Sequence, residues 1–141
     1  MRFTGQPLDI AIDGEGYFLL TNPVDSGTLY TRNGNLSLNR DSLLVLEANG
    51  SEYPINPAIQ VPPDATAVTI SPTGLVSVQM QKAELVAVGQ LAMARFDDPH
   101  KLKRLTSAIY AETPESGPGC MCLPGRESVG AVIQGALAKH Y

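Results

Sequence analysis

Turn-forming residues interrupt this chain at short intervals. Asp13-Gly14-Glu15-Gly16, Asn33-Gly34, Asn49-Gly50 and Ser71-Pro72-Thr73-Gly74 each separate runs in which apolar residues alternate. Alternation is the two-residue period of a strand, and the residues between the runs tolerate the backbone angles of tight reversals. Pieces this short leave no room for a bundle of long helices. The pattern predicts a mainly β, hairpin-rich domain with one short helix. Thirteen glycines and eleven prolines in 141 residues agree with a chain cut often by turns.

Three hairpins are expected. In residues 8–20, Ile10 and Ile12 alternate with Ala11 and Asp13, and Tyr17, Phe18, Leu19 and Leu20 suit a return strand after the glycine turn. Around Asn33-Gly34, Leu29 lies on one side and Leu36 and Leu38 on the other. In residues 67–80, Val68 and Ile70 precede the turn, and Val76, Val78 and Met80 follow it. Residues 43–46 read as another short strand. Pro54, Pro57, Pro62 and Pro63 confine residues 55–61 to an edge or a loop. Residues 84–96 alternate throughout and are the longest strand candidate.

The pattern changes at Asp97-Asp98-Pro99, which reads as a helix start with a carboxylate cap and proline in the first turn. Leu102, Leu105 and Ile109 follow at helical spacing, with Lys101, Lys103 and Arg104 outside. This predicts a helix of about two turns. Residues 113–128 read as a flexible loop, and residues 129–141 as a strand or the start of a helix. Nothing resembling a linker divides the chain, so residues 1–141 are expected to form one domain.

Composition narrows the function. The net charge is −4 with ten Lys and Arg, and the densest basic cluster is Lys101, Lys103 and Arg104. That is too little to replace the counterions of a nucleic acid. No apolar run approaches the roughly 20 residues of a membrane span, and the N-terminus lacks the apolar segment of a secretory signal. Cys120 and Cys122 are too close for an unstrained disulfide with each other and read as thiols in a loop, with intermolecular oxidation the other reading.

The acidic stretch Asp9, Asp13, Glu15 invites a calcium reading. A helical calcium loop starting at Asp9 would place Asp13 and Gly14 correctly, but Ala11 and Leu20 stand where ligands belong. Paired carboxylates for glycoside hydrolysis lack an aromatic platform, since Trp is absent. His100 and His140 are far apart, Ser128 lacks the glycine frame of a nucleophile elbow, and no glycine-rich phosphate loop precedes a helix. No catalytic residue, metal or cofactor is therefore assigned, and no enzyme activity is expected.

The order of short motifs is more informative. Pro7-Leu8-Asp9-Ile10-Ala11-Ile12, then Asp13-Gly14-Glu15-Gly16-Tyr17-Phe18, then Tyr30-Thr31-Arg32-Asn33-Gly34-Asn35-Leu36 resembles the signature of the bacterial flagellar rod and hook proteins. Pro57-Ala58-Ile59, Val61-Pro62, Val68-Thr69-Ile70 and Gly74-Leu75-Val76-Ser77-Val78 resemble that family's middle run. Val88-Gly89-Gln90-Leu91, residues 110–117 and Val132-Ile133-Gln134-Gly135-Ala136-Leu137 are most similar to its distal rod members. Family members begin and end with long helical segments. This chain resembles their central region alone, and Cys120-Met121-Cys122 and Pro72-Thr73 depart from the pattern.

The resemblance implies a structural subunit with the family's outer-domain fold. It implies self-association into a helical rod beside neighbouring rod and hook proteins, without nucleic acid, membrane insertion or small-molecule substrate. It also implies periplasmic assembly in the basal body after export without a cleaved signal. Isolated, the chain is expected to be monomeric. Proximal rod or hook membership is the alternative within the family; a calcium- or carbohydrate-binding β module is the alternative outside it. Asp13, Gly14, Gly16, Tyr17, Phe18, Tyr30, Arg32 and Gly34 carry the signature. Tyr17, Phe18 and Tyr30 read as core. Arg32 reads as pairing with a nearby carboxylate or, with Lys101 and Lys103, as a subunit contact.

Overall fold

The computed structural model describes all residues except Met1, Asn49, 82–84, Ser107, 126–128 and 138–141. Among the described residues the chain forms short strands and one three-residue 3₁₀ turn. The first strands are β1 (Arg2–Phe3), β2 (Ile10–Asp13), β3 (Tyr17–Thr21), β4 (Thr28–Thr31), β5 (Leu36–Leu38), β6 (Leu44–Ala48) and β7 (Ser51–Pro54). Then come β8 (Ala65–Ile70), β9 (Leu75–Met80), β10 (Leu85–Gln90) and β11 (Met93–Arg95). After the 3₁₀ turn (Pro99–Lys101) follow β12 (Lys103–Arg104), β13 (Ile109–Ala111), β14 (Cys120–Cys122), β15 (Ala131–Gln134) and β16 (Ala136–Leu137).

The strands pair antiparallel in five small sheets. One has six strands in the order β12-β13-β4-β3-β11-β14; two have three, β5-β6-β7 and β8-β9-β10; β2-β15 and β1-β16 are pairs. The sheets share one core. Ile10, Phe18, Leu20, Leu44, Leu46, Ile55, Ile59, Val76, Leu91, Met93 and Ile109 are buried together, drawn from every sheet except β1-β16. Alternation along each strand supplies the inward face, so burial of these side chains orients the sheets about a common centre. A smaller cluster of Leu19, Tyr30, Ala94 and Phe96 lies on the opposite face of the six-stranded sheet.

The mainly β fold is as expected, and the 67–80 hairpin is β8 and β9, paired through Val68–Val78 and Ile70–Val76. Other local expectations change. The expected two-turn helix is three residues of 3₁₀ turn followed by strand. Asp98 makes no side-chain capping bond, and Leu102 is already extended (φ −63°, ψ 145°). Lys103 and Arg104 pair with Ala111 and Tyr110 instead. The helically spaced residues do not share a face: Ile109 is fully buried in the main core, while Leu105 is exposed. Sheet pairing overrides a weak local helix preference.

Residues 84–96 are two strands in different sheets rather than one. The chain leaves β10 after a bulge between Ala87 and Gly89, and Leu91 turns inward with its N–H on the Gly74 carbonyl at 2.8 Å. Glu84 lies outside the described residues. The expected loop 113–128 contains β14, which pairs with β11 through Cys122–Met93 and Cys120–Arg95. Residues 126–128, including Ser128, lie outside the described residues, as do Asn49 and His140. Of residues 129–141, Ala131–Gln134 and Ala136–Leu137 are strand, β15 and β16, and 138–141 lie outside the described residues.

Candidate functional site

The two signature turns are corners between sheets, not hairpins. β2 pairs with β15 and β3 with β4 and β11, so Asp13-Gly14-Glu15-Gly16 carries the chain from one sheet into another. β4 pairs with β3 and β13 and β5 with β6, so residues 32–35 do the same. Local turn chemistry is identical for a hairpin and a corner; which one forms depends on where the flanking strands find partners.

The corners interlock. The Ile10 N–H donates to the Gly34 carbonyl at 3.0 Å, and Leu36 N–H to the Leu8 carbonyl at 3.2 Å. Gly34 has no positive φ; a Cβ there would stand on the Ile10 carbonyl oxygen. Only glycine lets the two backbones approach this closely. Gly14 and Gly16 have φ of +134° and +119°. The third strand of the knot arrives from the far end of the chain, with Gly130 N–H donating to Glu15 O at 2.7 Å and Gly135 N–H to Asp9 O at 2.7 Å.

Arg32 closes the first corner. Its Nη1 donates to the carbonyls of Gly14 at 2.9 Å and Gly16 at 2.7 Å. Neither reading drawn from sequence named this role: Arg32 is bonded to backbone oxygens that the corner leaves without strand partners. A cation on a carbonyl makes a charge-assisted bond, stronger than a neutral one. Asp9, Asp13 and Glu15 do not form a cluster. Asp9 is buried and accepts from Thr4 Oγ1 at 2.6 Å, while Asp13 and Glu15 are exposed on the corner.

Residues 11–78 match the family described as the flagellar hook protein FlgE/F/G D1 domain. Both corners lie inside that match. The chain belongs to the flagellar rod and hook family. The flagellar basal-body rod protein FlgG of Agrobacterium fabrum is 37% identical over 135 residues, 95% of this chain and 50% of its own length. FlgG of Caulobacter vibrioides is 36% identical over 132 residues, 93% of this chain and 49% of its own. FlgF of the same bacterium is 29% identical over 119 residues, 84% of this chain and 46% of its own. The chain spans about half the length of the curated relatives it matches.

In this flagellar-family domain Phe18 and Tyr30 are buried, and Tyr17 is half-buried. Tyr17 meets Phe96 and Tyr110 edge-on, with ring centroids 5.7 and 5.8 Å apart, and Tyr30 meets Phe96 edge-on at 4.8 Å. The Tyr30 hydroxyl donates to Glu112, which also accepts the Gly119 N–H at 3.2 Å. Burial pushes the Tyr30 hydroxyl pKa well above its usual range, and the bond to Glu112 and its charge add to this. Burial also raises that of Tyr17, as does Tyr110, against a smaller lowering by Arg32. Lys101 and Lys103 are exposed near the outer edge of the six-stranded sheet. Arg104 lies over the Tyr110 ring and donates to its hydroxyl at 3.0 Å.

Sequence reasoning gave Gln134 no role. Its Nε2 donates to Pro7 O at 2.7 Å and Val68 O at 2.9 Å, and its Oε1 accepts from Ile70 N at 3.0 Å. One side chain thus ties β15 to β8 and to the N-terminal segment. The available signal was a polar residue inside an apolar strand, which needs partners if buried.

Proposed function

We propose that this chain is the central, outer part of a distal rod subunit of the bacterial flagellum. The subunit polymerises into the shaft that transmits torque from motor to hook. The observation that carries the reading is the match to proteins named FlgG over 93% and 95% of the chain, against 84% for FlgF at lower identity. The site fits a mechanical role. A torque-bearing subunit must resist relative motion of its sheets, and here the corners between sheets are held by Arg32 and Gly34 and two sheets are braced by Gln134. The subunit works without catalysis or a cofactor. It lies in the periplasmic part of the basal body after export by the flagellar type III apparatus.

Deleting the gene in its own bacterium and imaging purified basal bodies tests this. The expected result is loss of motility with rods truncated before the distal segment. Intact rods of normal length overturn the proposal. Loss of the proximal rod instead moves the chain to another member of the family.

A further inference from the structure

We propose that Cys120 and Cys122 form a two-thiolate site for a soft metal ion, Cu(I). The pair lies outside residues 11–78 of the family match, and the site does not depend on the rod reading.

Strand β14 sets the pair up. Residues two apart on a strand share a face, so both thiols project to the same side. The strand is the outermost of its sheet, held to β11 through the Cys122–Met93 and Cys120–Arg95 pairs. Cys122 packs into the main core and Cys120 is exposed. One ligand is therefore anchored and the other open to an arriving ion. The Cys122 thiol donates to Cys120 Sγ at 3.9 Å and to the Cys120 carbonyl at 3.5 Å. A thiol is a weak donor, so both contacts yield to a metal–sulfur bond.

The separation suits a bridging atom better than a direct bond. A disulfide holds its sulfurs about 2.05 Å apart and its Cβ atoms about 3.8 Å apart. Residues two apart on an extended strand stay roughly 6.6 Å from each other. Closing that bond would bend β14 away from β11. A metal asks for less. With metal–sulfur bonds of about 2.3 Å, the length zinc makes, sulfurs 3.9 Å apart subtend roughly 115° at the ion. A wider angle needs only that Cys120 Sγ swing outward, on its exposed side.

The donor set selects the ion. Thiolates are soft ligands and favour Cu(I). Two of them satisfy Cu(I), whereas zinc takes four ligands. Among the described residues no third His, Cys, Asp or Glu joins the pair. Each thiol gives up its proton on binding. One Cu(I) and two thiols thus yield a bis-thiolate complex with a single negative charge and two released protons. Arg95 stands directly across from Cys120 in the register, so that charge forms beside a cation. Its Asp97 neighbour is 3.9 Å away and 98% exposed, a contact that water weakens.

Competition for Cu(I) against the chromophoric chelator bicinchoninate, under anaerobic reducing conditions, tests the site in the 141-residue chain. The chain should withdraw one ion per molecule. A thiolate-to-copper band in the ultraviolet should saturate at the same point, and the loaded chain should stay monomeric on gel filtration. Cys120→Ser and Cys122→Ser should each weaken uptake about 100-fold or more, at or beyond the upper end of the effect of groups that only support a ligand. If a buried hydroxyl prevents folding, Cys122→Ala takes the place of Cys122→Ser. No withdrawal of copper overturns the site. Uptake that survives in either single variant overturns it too, because one thiol would then suffice. Copper-linked dimers would place the ion between chains and overturn the intrachain pair. Zinc taken from a zinc indicator as tightly as copper from bicinchoninate would overturn the assignment to Cu(I).

Discussion

The corner at residues 32–35 and the β6-β7 turn each place a glycine after a turn-forming position, yet they are held by different things. Gly50 reverses the chain between Ala48 and Ser51, with φ +78° and nothing within 4 Å of where a Cβ would lie. Its demand for glycine is conformational and local. Gly34 has no positive φ, and its demand comes from the Ile10 carbonyl, 24 positions earlier in the chain and in contact with it. The β6-β7 turn is specified by its own residues and the 32–35 corner by the meeting of two sheets. In a chain made of small sheets, rigidity between sheets depends on corners of this kind.

Alanine at each glycine separates the two cases most sharply. Gly34→Ala should cost about 3 kcal/mol or more, because backbone on both sides must move. Gly50→Ala should cost about 1 kcal/mol, the ordinary penalty for a side chain in the left-handed region. Urea unfolding of the 141-residue chain reads both. Equal costs would remove the distinction between corner and hairpin.

Gln134 extends the comparison from a corner to a brace between sheets. Gln134→Leu deletes three bonds and leaves the Ile70 N–H and two carbonyls without this partner, so a loss of about 2–3 kcal/mol is expected. Hydrogen exchange should show faster opening of Ile70 before global unfolding. A loss below about 0.5 kcal/mol, the range of an ordinary surface substitution, would mean that water replaces the side chain without penalty.

Arg32 tests whether a corner needs its cation or only its glycines. Arg32→Ala should cost about 2 kcal/mol, somewhat less than two fully buried charged bonds because the site is partly solvated. Both bonds come from the one nitrogen Nη1; lysine at this position keeps the charge and a several-donor nitrogen on a shorter, rounder head, and should recover about half. Full recovery by lysine would make the interaction one of charge alone.

These contrasts also mark how far the sequence could be read. Alternation located strands such as β2, β3, β8 and β9, since a two-residue period that sends alternate side chains to opposite faces is a local pattern with a local cause. The β8-β9 hairpin was legible in full because its turn and both strands are contiguous. Asp13-Gly14-Glu15-Gly16 and Asn33-Gly34 were legible as turns and misread as hairpins, because β2 pairs with β15 from the far end of the chain and β5 pairs onward with β6 instead of back with β4. The same limit hid the carbonyls that Arg32 bonds and the three partners of Gln134. The expected helix after Pro99 failed for a related reason: Leu102, Leu105 and Ile109 match a helical period by spacing alone, and strand β4 claims Ile109.

The smallest effect concerns the outer cluster, where a side-chain bond adds to the backbone pairing of Tyr30 with Leu19 and Tyr110. Tyr30→Phe removes the bond to Glu112 but keeps the ring against Phe96. Glu112 is exposed and regains water, so the cost at neutral pH should be about 1 kcal/mol. The pH dependence distinguishes the hydroxyl from the ring. The folded-state pKa of Tyr30 lies above its ordinary value of 10.0, so above that pH the unfolded chain releases its proton while the folded chain keeps it. The contribution is therefore fully present below pH 10 and declines as pH rises through the folded pKa. Above pH 10 the wild-type chain should lose stability more steeply than Tyr30→Phe, and the difference between them should narrow. Parallel curves would mean that the Tyr30 hydroxyl titrates alike in both states, and the outer cluster would then be held by ring packing alone.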